Sequence, residues 1–287
     1  MALFGFLKDR QLKPTWTFKA EGTIWRVVPD ESGKIVGEVR NVAEKATSFF
    51  CLNQMTGEVF WERVSFGERW WIGIEAIHKG VLLLHGFSTP DLPEHKGIIA
   101  VDLMTGKSLW NNVNLTFVAA NENSILASQQ SVEDKTLFEL DYRTGVTLGL
   151  LEEAASMFDK GELASTLKAE NEIELPAPVT HLPDPAMSKH YNTDNLVGNV
   201  ESVDHNNLLI FNFHEKLTGN SKQQALLKNT LKVLDKPTGN ILYAAVLNAE
   251  SSTVIPESFF IQNETLFFVR EKCELTALHL PGSYDEN

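Results

Sequence analysis

The stretch Ala100-Val101-Asp102-Leu103-Met104-Thr105-Gly106-Lys107-Ser108-Leu109-Trp110 decides the fold, because the chain writes it more than once. Its pattern returns as Leu52-Asn53-Gln54-Met55-Thr56-Gly57-Glu58-Val59-Phe60-Trp61 and as Leu140-Asp141-Tyr142-Arg143-Thr144-Gly145-Val146-Thr147-Leu148-Gly149. It returns again as Leu234-Asp235-Lys236-Pro237-Thr238-Gly239-Asn240-Ile241-Leu242-Tyr243. Each copy reads as an apolar strand, an Asp/Asn-x-x-Thr-Gly turn and a second strand. Gly supplies the positive φ such a turn needs without a Cβ clash. A hairpin recurring about every 40–50 residues marks stacked repeat units, none of which buries its faces alone.

Working outward from the second copy, residues 71–77 read as a strand, His78-Lys79-Gly80 as a tight turn and 81–87 as a second strand. A loop over 88–96 leads to a third strand, 97–103, and 107–110 starts a fourth beyond the Thr-Gly turn. Four antiparallel strands per repeated unit describe a β-propeller blade, the unit of WD40-like and related proteins. The same order fits 24–62, 116–150 and 196–244, and a fifth unit begins at 258 but runs out of chain after 275–280. Its missing strand is expected at 14–19, where Trp16 precedes Trp25 by the same interval as Trp61 precedes Trp70. The N-terminal strand then closes the ring and removes an exposed edge. The expectation is one all-β domain over 1–287 with five blades; six or seven stay open if the insert 151–195 hides degenerate ones. Residues 1–13 and 281–287 are expected as flexible tails.

The set Ala100, Asp102, Thr105, Gly106 and Trp110 resembles the tryptophan-docking motif of quinoprotein-type propellers, the pyrroloquinoline-quinone-like repeat. That resemblance implies that the Trp packs between neighbouring blades while the Thr-Gly hairpin fixes its register. Carried across the chain, it assigns blade docking to Thr56, Gly57 and Trp61, to Asp141, Thr144 and Gly145, to Asp235, Thr238 and Gly239, and to Trp16. The first copy has Cys51 and Asn53 in place of Ala and Asp, and the third and fourth end in Gly149 and Tyr243. The fifth unit keeps Ala277 but has His279 at the Asp position. Dehydrogenases of the family usually have eight blades, calcium ligands and often a vicinal disulfide. With 287 residues and two distant cysteines, Cys51 and Cys273, this chain is expected to carry no quinone and no other cofactor. It is also similar to a bacterial family described only as a domain of unknown function, which implies no activity.

The formal charge of −13 argues against a nucleic-acid binder, which needs clustered Lys and Arg, and against docking on anionic lipid. No run approaches the ~18 apolar residues of a membrane span, and residues 1–10 do not read as a signal peptide. A cytoplasmic monomer is the expectation.

The long connections expected at 88–96, 151–195, 215–229 and 247–257 fall on one face of such a disc, and long loops in compact domains are usually functional. Candidates for a binding face there are Trp70, Trp71, His95, His190 and Tyr191. For Trp70-Trp71, packing between blades is favoured over stacking a ligand. In the insert, Asp159 and Glu162 suit a short helix cap, and prolines at 176, 178, 183 and 185 are expected to preclude regular structure through Met187. The insert reads as a lid, a surface strap or a partner-binding arm, and Glu152-Glu153 as a solvated carboxylate pair. The eight His residues show no metal-ligand spacing, so no metal is expected. His85, His95, His181 and His190 fall to the long-loop face, whereas His78 and His205 are expected in solvated turns. A nucleophile elbow, a phosphate-binding loop and a zinc-protease helix are absent from the sequence. The reading is a non-catalytic scaffold for an unidentified protein or peptide; the alternative is a small-molecule binder or enzyme with its site at the mouth of a central channel. The precedent for the first is the periplasmic assembly propellers of similar repeat type, although their lipoprotein signal is not expected here.

Overall fold

Strand β1 (Trp16–Lys19) pairs antiparallel with the last strand of the chain, β22 (Glu274–His279), placing Trp16 opposite Ala277. The computed structural model describes residues 11–89, 92–131, 135–151, 173–179, 185–217 and 226–282. They form two compact units, 20–172 and 1–19 with 173–287.

The unit 20–172 holds three four-stranded antiparallel meanders. The first is β2 (Thr23–Pro29), β3 (Lys34–Asn41), β4 (Ala46–Asn53) and β5 (Val59–Val64). The second is β6 (Ile72–His78), β7 (Val81–Thr89), β8 (Leu92–Asp102) and β9 (Ser108–Asn112). The third is β10 (Thr116–Ala120), β11 (Ile125–Gln130), β12 (Lys135–Leu140) and β13 (Thr147–Leu151). Strand β7 opens with the buried run Val81-Leu82-Leu83-Leu84 because both of its faces are covered. Leu82 and Leu84 pack with Val36, Phe49 and Cys51 of the first sheet, while Val81 and Leu83 pack with Ile125 and Ala127 of the third.

The repeated turn has one geometry at all four places. Asp102 Oδ1 accepts from Thr105 N at 2.9 Å and Thr105 Oγ1 at 2.8 Å, and Asp141 Oδ1 holds Thr144 at 2.8 Å from both donors. Asn53 Oδ1 accepts from Thr56 N at 3.0 Å, and Asp235 accepts from Thr238 N at 3.1 Å. The Thr hydroxyls pull the Asp102 and Asp141 carboxyls below their ordinary range. The glycines that close the turns, Gly57, Gly106, Gly145 and Gly239, have φ of 72, 68, 70 and 70°.

Two of these glycines meet an indole. Trp61 Nε1 donates to Leu103 O at 2.9 Å, and a Cβ on Gly106 would come within 2.8 Å of its ring. Trp110 Nε1 donates to Tyr142 O at 3.0 Å, and a Cβ on Gly145 would lie 2.6 Å from that ring. Each Trp therefore lies on the turn of the following sheet. Ala100 is fully buried, opposite Trp110 across β8 and β9.

The other unit holds two five-stranded sheets. One is β15 (Ala177–Pro178), β16 (Leu196–His205), β17 (Leu208–Lys216), β18 (Leu227–Asp235) and β19 (Ile241–Ser251). The other joins β14 (Ile173–Glu174), β20 (Phe259–Gln262), β21 (Thr265–Arg270), β22 and β1. Their shared core holds Ile210, Leu231 and Val233 against Phe259, Leu266 and Phe268, with Leu12 packed beside it. Leu12 N also donates to Leu242 O at 2.9 Å, so the expected N-terminal tail is tied down by its twelfth residue.

Several expectations are corrected here. Residues 88–89 and 92–96 are strand and not loop: β7 and β8 pair out to Thr89 and Leu92, because Glu94-His95-Lys96 is a two-faced strand rather than a polar linker. Likewise β17 and β18 pair out to Lys216 and Leu227, and β19 runs to Ser251. The prolines of the insert do not exclude regular structure. Pro178 lies on an edge strand and Pro185 opens the helical turn α1 (Pro185–Ser188), two positions where the missing N–H costs nothing. His78 and His205 are buried, not solvated: His78 sets its ring edge-on to Tyr142 at 5.0 Å, and His205 Nδ1 donates to Glu174 at 2.8 Å. The helix cap at Asp159 and Glu162, Glu152-Glu153 and His181 lie outside the described residues. Among the described residues no helix is long and apolar enough to cross a membrane.

Trp110→Ala is expected to lower unfolding stability by about 3–5 kcal/mol, read by urea denaturation; a loss under about 1 kcal/mol would contradict the docking of its ring. Burial pushes the Cys51 thiol up to about 12, whereas Cys273 is only partly covered. Alkylation of the native protein at mildly alkaline pH is therefore expected to label Cys273 first, with Cys51 reacting only on unfolding; mass mapping of the labelled peptides decides it.

Candidate functional site

The distinctive chemistry of the unit 20–172 lies where β3 of the first sheet meets β6 of the second. Strand β6 is the edge of its sheet, so the outward N–H and C=O groups along it lack a strand partner. Side chains of the first sheet satisfy them. Arg26 Nη1 donates to Ile74 O at 2.6 Å, and Ile74 N donates to Glu38 Oε2 at 3.3 Å. Arg40 donates to Trp70 O at 3.3 Å and to Ile72 O at 3.1 Å. Its guanidinium also grips Glu38 Oε1 through Nε and Nη2, both at 2.7 Å, and the two side chains are only 11% and 3% exposed.

This buried ion pair supports an aromatic surface. The Arg40 guanidinium lies 5.3 Å from the Trp25 ring and 5.1 Å from the Trp70 ring, within cation–π range of both. Glu68 accepts the backbone N–H groups of Arg69, Trp70 and Trp71 at 2.8, 2.9 and 3.1 Å, which fixes the bend carrying both indoles. Those bonds, led by Trp70 N–H, draw the Glu68 carboxyl below its ordinary range. Trp25 remains 68% exposed and Trp71 37%. Neither Trp70 nor Trp71 is a core side chain, contrary to the packing favoured on sequence, because Glu68 holds their backbone out at the edge of β6.

Behind Trp71 the second sheet changes character. Trp71 sets its ring edge-on to Phe87 at 6.0 Å, and Phe87 meets His85 at 4.9 Å and His95 at 5.6 Å. The two imidazoles stack with centroids 3.5 Å apart and planes at 11°. His95 Nδ1 donates to Glu75 Oε2 at 2.8 Å and His85 Nδ1 to Gly86 O at 3.0 Å. Burial pulls the His85 ring down to about 4, against its bond to the Gly86 carbonyl, with His95, Arg26 and Arg40 adding to the fall.

Of the five expected binding-face residues, Trp70, Trp71 and His95 come together here. His190 and Tyr191 belong to the other unit. Tyr191 is buried at 8% exposure, its ring 5.3 Å from Phe213, since an apolar ring beside an aromatic core has no reason to face solvent. His190 lies 6.4 Å from Phe211, its carbonyl accepting from Lys232 Nζ at 2.6 Å, and burial lowers its pKa. Sequence reasoning missed Arg26, Glu38, Arg40 and Glu75. One signal was available: counted from Lys34 and Val81, which pair with Asn53 and Asp102, Glu38 and His85 hold the same register position.

A family model described as a domain of unknown function (DUF4905) matches residues 28–110, a stretch that contains Glu38, Arg40, Trp70, Trp71, Glu75, His85 and His95. No curated protein matches the chain. Among solved structures, the chain is similar to the β-propeller domain of Cps50 (Swd1) from Myceliophteria thermophila, at 10% identity and a TM-score of 0.36, covering 93% of this chain and 100% of that one. It is also similar to the uncharacterized protein lmo1340 from Listeria monocytogenes EGD-e, at 14% identity and a TM-score of 0.33, covering 93% of this chain and 88% of that one.

Glu38→Ala and Arg40→Ala are each expected to cost about 3–5 kcal/mol, since either leaves a buried charge unpaired. The double variant should cost clearly less than the sum, and a strictly additive denaturation cycle would contradict the coupling.

Proposed function

We propose that this chain is a binding protein without catalytic activity, and that its ligand is a protein or peptide segment gripped by Trp25, Trp70 and Trp71 around Arg40. We further infer that the five sheets are the blades of one β-propeller whose last blade is completed by β1. The observation that supports the binding reading most is Trp25: an indole 68% exposed, yet facing a guanidinium that buried Glu38 holds in place. Exposing that much aromatic surface in a fixed pose brings no gain in folding, whereas Trp and Arg dominate the hot spots of protein interfaces. Rigid aromatics also bind at low conformational cost. Arg40 already spends its donors on Glu38, Trp70 O and Ile72 O, so a ligand meets ring faces rather than a free positive charge. The fitting segment is therefore apolar or aromatic in its contact side chains. The alternative, a small-molecule binder or enzyme, draws support among the described residues from the polar cluster of Glu75, His85 and His95.

Peptides selected from a displayed library on the intact protein should bind Trp25→Ala or Trp71→Ala at least tenfold more weakly by titration calorimetry; unchanged affinities would overturn the assignment. For the closure, deleting residues 1–20 removes β1 and should produce aggregation or a large fall in Tm. An unchanged melting curve would refute it.

A further inference from the structure

We propose that Glu75, His85 and His95 form a binding site for a divalent transition cation, with zinc the best fit. One oxygen and two nitrogen donors from these residues all lie within 4.8 Å of one another, and a ligand set of two His and one Glu with an open fourth position suits zinc. Hard cations such as calcium and magnesium ask for oxygen donors instead.

Three strands bring the donors together, and two irregularities aim them. Glu75 is the extra residue of a bulge in β6, since Ile74 pairs with Leu84 and Ala76 with Leu83. On the other side of β7, Leu84 pairs with Ile99 and Gly86 with Lys96, so His85 alone faces two residues of β8, Ile98 and Gly97, the latter at φ 81°. Bulges of this kind re-aim side chains and gather next to functional sites. His85 lies opposite Gly73, and His95 lies opposite Phe87, two residues beyond His85, so both imidazoles share one face of the sheet.

The surroundings prepare one donor and occupy the other two: the Nδ1 proton of His95 rests on Glu75 Oε2 at 2.8 Å, so a cation that takes both residues displaces that hydrogen bond. His85 gives its Nδ1 proton to the Gly86 carbonyl, which leaves the Nε2 lone pair as its donor. Gly73 makes room for that nitrogen, because a Cβ there would sit 2.9 Å from Nε2. The backbone at His95 is tied to the third sheet, its carbonyl accepting from Thr116 Oγ1 at 3.3 Å. The side chain of His95 is 40% exposed and that of Glu75 17%, so an ion has a way in. Glu38 and Glu75 balance Arg26 and Arg40 in charge, which places the affinity in donor geometry rather than in a negative field.

The full-length protein is stripped with chelator and titrated with zinc against a chromophoric indicator, with cobalt in parallel for its ligand-field spectrum. The expected result is one zinc per chain at micromolar or tighter affinity, a cobalt spectrum typical of mixed nitrogen and oxygen ligands, and no calcium binding under the same conditions. His95→Gln and Glu75→Gln change partly exposed side chains and leave the core intact, which their melting curves check. Each should weaken zinc at least thirtyfold and abolish the rise in Tm that zinc gives the parent protein. Absence of stoichiometric binding, or zinc binding of equal strength in both variants, would overturn the proposal.

Discussion

An indole lying flat against a glycine, with its N–H on a neighbouring carbonyl, ties each sheet of the unit 20–172 to the next. Trp61 does so on Gly106 and Trp110 on Gly145, and each glycine serves twice. Its positive φ closes the turn begun by Asp102 or Asp141, and its missing side chain lets the ring approach. The rest of that unit follows from this contact. With the second sheet held against the first, Arg26, Glu38 and Arg40 reach the edge of β6 and satisfy backbone groups that would otherwise need water. A buried ion pair is seldom a net gain in stability over apolar packing. Its value here is positional: it brings Trp25 and Trp70 within cation–π range of one guanidinium.

The second strand of each hairpin repeats a further device. Four residues beyond the position paired with the turn's Asn or Asp stand Glu38, His85 and Asn212, all buried. The corresponding residue of the third sheet is Ser128, also buried, and that of the last sheet is Val269. The same backbone address thus holds a different polar group in four of the five described sheets, and three of those groups have a defined partner. Glu38 takes Arg40, His85 takes the Gly86 carbonyl, and Asn212 donates to Asn229 at 3.4 Å. Repetition sets the address, and divergence at that address differentiates the sheets.

Where the sequence is periodic, the fold is legible in it. The Asp-x-x-Thr-Gly turns locate four hairpins, and Trp16 marks the strand that pairs with β22. What stays hidden depends on register. Glu94-His95-Lys96 looks like a polar loop because the bulges that extend β7 and β8 leave no signature in composition. Glu75 looks like an ordinary solvated carboxylate until the bulge in β6 turns it toward His95. Ile173–Glu174 and Ala177–Pro178 look structureless because two-residue edge strands carry no periodicity, and they form only because β20 and β16 offer open edges.

Fluorine NMR of fluorotryptophan-labelled protein tests the central claim, that a buried ion pair holds an exposed aromatic surface in a fixed pose. The chain has six Trp residues, each assignable by substitution. In Glu38→Gln the resonances of Trp25 and Trp70 should shift and broaden while those of Trp61 and Trp110 stay in place. A Trp25 resonance that sits at the unfolded position in the parent protein and ignores the substitution would contradict the account.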